Sequence, residues 1–201
     1  MKKVILTVVI SLITICLING NAQTKVNPGI KLNGNLTNVQ LSDIENSTSK
    51  FNAGVSVGGF VKISFNDYIA LQPELIVNYT ESKNKVNGEN VKFKYAGVEI
   101  PAYILGQLNA GKGKVFAGAG PHIGYGFSAD SRTELLPAGD PGENKIELDH
   151  WYTGVSTMAG YEFANKISVH CGYQLSFDFR KRGKSSDVNT QIISLGIGYR
   201  F

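Results

Sequence analysis

The sequence predicts an all-β protein, an eight-stranded antiparallel up-and-down transmembrane β-barrel with a cleaved N-terminal signal peptide. Three observations predict it. Apolar and polar residues alternate along segment after segment, the mark of strands with one oily and one wet face. Connections alternate between tight turns and long polar loops, as in an up-and-down barrel. Glycine numbers 23 and proline only 6 in 201 residues, an excess that suits tight turns and close-packed strands.

The chain opens with Met1-Lys2-Lys3, an apolar stretch from Val4 to Ile18, and small residues at Gly20 and Ala22. This is the three-part pattern of a secretory signal, so residues 1–22 are expected to be removed and 23–201 to form the barrel domain. The apolar stretch is shorter than the ~20 residues a spanning helix needs, which argues against a membrane anchor. Ile15 precedes Cys16, where a lipoprotein would carry a small residue. After cleavage Cys171 is the only thiol, which excludes an intramolecular disulfide. The formal net charge of +4 includes Lys2 and Lys3. The mature chain is therefore near neutrality, without the basic excess of a nucleic-acid binder. Hydrophobic residues at 42% exclude intrinsic disorder.

The strands follow in order. A short first strand runs near Gly29 to Asn38. From Phe51 to Phe65, Val55, Val57, Val61 and Ile63 oppose Asn52, Ser56 and Lys62. From Ile69 to Tyr79, Leu71, Leu75 and Val77 oppose Gln72, Glu74 and Asn78. The fourth strand, near Val91 to Leu108, contains Glu99 and changes parity between Tyr95 and Val98, as a bulge would cause. Val115 to Phe127 carries His122 and four glycines on one face, and Trp151 to Phe163 carries Tyr152, Ser156 and Glu162. Ile167 to Phe179 alternates without exception, with Ser168, His170, Gln174 and Asp178 on the polar face. Ile193 to Phe201 ends the barrel. Turns are expected at 66–67, 109–113 and 164–166, and long loops at 39–50, 81–90, 129–147 and 181–189. Pro73, Pro101 and Pro121 fall inside strands, where each removes a ladder hydrogen bond, so three bulges are expected.

A soluble barrel with an oily core would show the same alternation. Three features favour the membrane. The polar faces carry glycine, serine and paired charges rather than a lysine- and glutamate-rich solvent surface. Aromatics such as Phe65, Tyr79, Trp151, Phe163, Phe179 and Tyr199 cluster at the ends of the apolar faces, like the two girdles of a membrane barrel. Strands of ten or more residues suit a tilted span of ~9–11, and closure pairs every backbone group within the lipid.

Several motifs carry a family resemblance. They are Gly29-Ile-Lys-Leu-Asn-Gly-Asn-Leu-Thr-Asn38, Leu71-Gln-Pro-Glu-Leu75, Val98-Glu-Ile-Pro101, Phe116-Ala-Gly-Ala-Gly-Pro121, Ala159-Gly-Tyr-Glu-Phe163 and Gly196-Ile-Gly-Tyr-Arg-Phe201. In this order and spacing they resemble the PorT-like outer-membrane β-barrel domain family of Gram-negative bacteria, across the whole mature chain. The resemblance implies an outer-membrane location with both termini in the periplasm. The alternate residues Leu195, Ile197, Tyr199 and Phe201 look like the C-terminal signal read by the outer-membrane assembly machinery. The family is functionally mixed, and its namesake takes part in a protein secretion system.

The candidate site is the lumen. Its expected polar network is Lys31, Lys62, Glu74, Glu99, Glu162, His170, Asp178, Arg180 and Arg200, with four acids and four bases. An eight-stranded interior is just wide enough for side chains to fill, so the network reads as a plug of ion pairs, and a narrow ion path is the alternative. His122 and His170 face inward without a metal-site spacing. Ser168-Val-His170 shares the luminal face, and His150 lies by Asp149 without a serine nearby in sequence, so neither forms an enzyme's rim site. No catalytic residue, metal or cofactor is expected. The loop 129–147 is net acidic by three and the loop 181–189 net basic by two, through Lys181, Arg182 and Lys184 against Asp187. Charge runs are usually solvated faces, and the basic one could meet lipopolysaccharide phosphates. The expected partners are the lipid bilayer, lipopolysaccharide, the barrel assembly machinery and proteins of an envelope or secretion assembly. The expected role is a non-enzymatic adaptor barrel. A pore for small solutes is second and a lipid-modifying enzyme third.

Overall fold

The computed structural model describes residues 25–41, 52–86, 89–133, 145–146, 150–178 and 188–201. Strands are β1 (Lys25–Leu41), β2 (Asn52–Ser64), β3 (Ile69–Val86), β4 (Glu89–Ala110), β5 (Gly113–Thr133), the two-residue β6 (Lys145–Ile146), β7 (His150–Glu162), β8 (Ile167–Asp178) and β9 (Val188–Arg200). Every pairing is antiparallel. The ring runs β1 to β5, then β7, β8 and β9, and β9 pairs back onto β1 to close it. Eight strands thus form the barrel, and β6 rests on Ala129 and Asp130 of β5. Among the described residues there is no helix.

Alternation produces the expected inversion. Ile30, Leu32, Val55, Val57, Leu75, Val77, Ile104, Val155, Leu195 and Ile197 are exposed on the outer wall, while Lys31, Asn33, Ser56, Lys62, Glu74, Asn78, Glu99 and His170 are buried in the lumen. A polar inside and an apolar outside are stable only where the solvent is lipid.

The short turns have local causes. Asn66 Oδ1 accepts from the backbone N–H of Tyr68 and Ile69 at 2.8 and 2.7 Å. Gly111, at φ 59°, takes the left-handed conformation that glycine adopts without strain, and Lys166 holds φ 69° in the β7–β8 turn. At the other end the ladders reach further than composition suggests. Residues 81–90, expected as a loop, are largely strand: Glu81 to Val86 pairs with Lys94 back to Glu89. β5 likewise pairs with β4 as far as Thr133. The β2–β3 pairing stops at Gly54–Thr80 and the β5–β7 pairing at Gly126–His150. The sheet β3–β4–β5 therefore continues as a three-stranded tongue, about 20 Å of strand beyond those pairings.

The register corrects the proline expectation. It runs unshifted past Pro73, Pro101 and Pro121, and the ladder simply lacks pairs beside them. The one shift lies between Ala96 and Gly97 against β5, where Phe127 is the extra residue. The extra residue thus sits on β5 and not on β4, where the sequence places the bulge: β4 runs unshifted against β3 from Tyr95 to Val98.

The expected signal peptide 1–22, most of the expected loops 39–50, 129–147 and 181–189, and Arg180 lie outside the described residues.

Candidate functional site: the barrel lumen

The lumen is filled in three zones. Nearest the short turns, Glu162 on β7 is shared by two cations. Lys62 on β2 donates to its Oε2 at 3.1 Å, and Arg200 on β9 donates through Nε and Nη2 to Oε1 at 3.1 and 2.9 Å. The remaining Arg200 arm donates to Asn27 Oδ1 at 3.0 Å. The carboxylate thus ties β7, β2 and β9, and Arg200 carries the tie on to β1.

Deeper in, Ala70, Tyr103, Leu105, Phe116 and Met158 make an apolar cluster. The sequence set of luminal residues contains none of these, because an inward face is expected to be polar. Counting alternate residues from Glu99 does reach Tyr103 and Leu105. Lys62 Nζ also sits 5.6 Å from the centre of the Phe116 ring, a cation–π contact. Beside this cluster lies an enclosed ion pair. Lys31 Nζ donates to both Glu74 oxygens at 2.8 and 3.1 Å, with side chains 6% and 1% exposed. Gln72 adds a bond to Glu74 Oε1 at 2.8 Å. A relay joins β8, β1 and β2: His170 Nε2 meets Asn33 Oδ1 at 2.8 Å, and Asn33 Nδ2 donates to Ser56 Oγ at 2.9 Å.

The third zone faces the long loops. Glu99, 2% exposed, accepts from the Tyr152 hydroxyl at 2.7 Å and from Gln174 at 3.2 Å. Gln174 also donates to Ser156 Oγ. Ser156 and Ser176 flank His122 at 2.7 Å from Nδ1 and 2.9 Å from Nε2. Tyr152, Ser156 and Ser176 are absent from the expected network, since hydroxyl residues on a wet face carry no distinctive pattern.

Glycines make this filling possible. A side chain at Gly124 would strike the Tyr152 ring, one at Gly196 would strike Asn33 and His170, and one at Gly154 would meet His122 and the Leu175 carbonyl. The glycine excess is therefore the complement of large luminal side chains.

Of the expected network, Lys31, Lys62, Glu74, Glu99, Glu162, His170 and Arg200 all face inward and meet partners. Asp178 ends β8 opposite Tyr152, and Arg180 lies outside the described residues. His122 and His170 are held by separate partners, and no cluster of three metal-ligating acid, histidine or cysteine side chains occurs among the described residues. Ser168 does not bond His170, which bonds Asn33. In the Ser156–His122–Ser176 group, the nitrogen that would meet an orienting carboxylate in an acyl-transfer triad meets a second hydroxyl instead. The arrangement clasps three strands and does not align a base. Among the described residues, a cavity of about 20 Å³ lies beside Lys31, Lys62 and His170, room for a water or two. Leu195, Ile197, Tyr199 and Phe201 all lie exposed on the outer wall at the seam.

Comparison with known proteins agrees with this architecture. The Neisserial surface protein A structure is similar at 14% identity, covering 88% of this chain and 99% of that one, with a TM-score of 0.53. The attachment invasion locus protein Ail of Yersinia pestis, solved with the heparin analogue sucrose octasulfate, is similar at 14% identity with the same coverage and a TM-score of 0.50. At such identity the likeness is one of fold. No curated protein matches the chain. The family described as outer membrane protein beta-barrel domain matches residues 8–201. With its closed ring, lipid-facing outer wall and packed lumen, the chain belongs to the outer membrane protein β-barrel domain family and resides in the outer membrane.

Proposed function

We propose that the protein is a sealed, non-enzymatic adaptor barrel, of the PorT-like kind, that presents its loop end to a protein of an envelope or secretion assembly. The observation that carries this reading is the lumen. Buried ion pairs and hydrogen bonds fill it at three depths, which leaves the surfaces and the extended loop end as places to act. The three-stranded tongue of β3, β4 and β5 supports a presenting role, since it carries paired strands above the barrel wall. In this reading the termini and short turns lie in the periplasm. Leu195, Ile197, Tyr199 and Phe201 engage the assembly machinery, and Lys181, Arg182 and Lys184 contact lipopolysaccharide.

The test is a pull-down from native membranes in mild detergent, with a tag in the loop 39–50. A stoichiometric envelope partner supports the adaptor. A lone barrel that gives a stable unitary conductance in planar bilayers overturns it in favour of a narrow pore.

A further inference from the structure

The charges around the luminal cavity do not balance. Among the described residues, Lys31, Lys62 and Arg200 are joined to only two carboxylates, Glu74 and Glu162. The sixth charged group in the described lumen, Glu99, is bound elsewhere, by Tyr152 and Gln174. At the same mouth Lys25 and the half-buried Lys114 add further positive charge. Even without these two lysines, three cations against two carboxylates leave one positive charge uncompensated, in a setting where burying charge without a partner is costly.

The cavity of about 20 Å³ lies at this cluster, with Lys31, Lys62, Gln72, Glu162, Ser168 and His170 as its polar lining and apolar neighbours around them. Its polar wall holds spare donors. Lys31 uses two of its three N–H groups on Glu74, and Lys62 uses one on Glu162. Ser168 adds a hydroxyl. His170 is 4% exposed, and its Nδ1 has no hydrogen-bond partner in the protein.

The relay behind His170 can run in either sense. With Asn33 Nδ2 donating to Ser56, His170 Nε2 carries the proton and Nδ1 offers a lone pair. Turning the Asn33 amide over lets Ser56 donate to Asn33 Oδ1 and Asn33 Nδ2 donate to His170 Nε2. Nδ1 then carries the proton and donates into the cavity. Both arrangements satisfy every group in the relay and leave the imidazole neutral.

We infer that this cavity is a binding site for one monovalent anion of halide size. The ammonium groups of Lys31 and Lys62, the Ser168 hydroxyl and the His170 Nδ1–H donate to it, and its charge balances the cluster. A chloride fits the volume and needs only donors.

The test uses the whole folded barrel in non-ionic detergent, with chloride, bromide or gluconate at one ionic strength. The unfolding midpoint is read from loss of the folded gel band. Chloride and bromide raise the midpoint saturably, and gluconate, too large to enter, does not. Lys62→Met removes the excess charge yet leaves Glu162 paired with Arg200. It weakens the halide effect at least about tenfold, the loss of one charge-assisted bond. Ser168→Ala weakens it a fewfold and serves if Lys62→Met does not fold. Nitrogen NMR of His170 shows an Nδ1–H tautomer in chloride and an Nε2–H tautomer in gluconate. Equal midpoints in all three salts, or a chloride response undiminished in both variants, overturn the site.

Discussion

Glu74→Gln is the sharpest test of the packed lumen. Glutamine keeps the shape and one acceptor oxygen, so Gln72 can still donate, but Lys31 loses its counter-charge. The pair is enclosed, with side chains 6% and 1% exposed, and no second carboxylate meets Lys31 among the described residues. Removing one partner of such a pair costs about 3–5 kcal/mol. Because the retained oxygen still accepts from the ammonium, we expect about 3 kcal/mol. Lys31→Met should cost a similar amount, since Glu74 then keeps only Gln72. The double variant buries two neutral side chains and should lie within about 1 kcal/mol of the parent. The losses are thus far from additive, the signature of direct coupling. Urea unfolding of the barrel in lipid vesicles measures all four proteins. If both single variants fall within about 0.5 kcal/mol of the parent, as surface substitutions do, water reaches the pair and the lumen is not sealed.

Other expectations follow from the same contacts. Tyr152→Phe removes the 2.7 Å bond to Glu99 and should cost about 1.5–3 kcal/mol in the same assay. Gly154→Ala drives a methyl group into the Leu175 carbonyl and His122, for a loss of about 1–3 kcal/mol. On the outer wall, Leu195 is 66% exposed and lies about 20 Å of strand from Phe201, which at a tilt of about 40° is about 15 Å of height, near the middle of an apolar band about 25 Å tall. Leu195→Lys should cost about 2–4 kcal/mol and Val26→Lys, at the rim, about 0–1 kcal/mol. Equal costs would contradict a membrane-spanning wall. Trp151, the only tryptophan, is 53% exposed on that wall, so brominated acyl chains should quench its fluorescence.

The alternation made the wall legible because a strand has one side chain per face per step, and lipid and lumen demand opposite chemistry. Lys31, Glu74, Glu99 and His170 could therefore be assigned inward from sequence. Their partners could not. Lys62 meets Glu162 from 100 residues away, and that meeting depends on register and closure, which local pattern does not encode. The apolar residues Tyr103, Leu105 and Met158 escaped because wet faces were read by polarity rather than by strict count. The segment from Glu81 to Val86 escaped because its serine, lysine and asparagine content reads as loop, although the ladder below carries its backbone onward. The prolines show the converse: a missing donor interrupts a ladder locally and leaves its register intact.

The seam has a consequence for the order in which the molecule is made. Arg200, one residue from the chain end, reaches Asn27 across a separation of 173 residues, and its strand supplies the only partner for the outer edge of β1. Contacts this distant in sequence form late and slowly. Until β9 arrives, β1 and β8 present open edges that lipid cannot satisfy. Of the eight barrel strands, β9 leaves a ribosome or translocation channel last. The chain therefore has to travel to the membrane with its first strand unmatched, and closing the ring is a single terminal event rather than a gradual one. A chain that stops a strand short gains none of the stability of the closed state, so the wall is complete or it is not a wall.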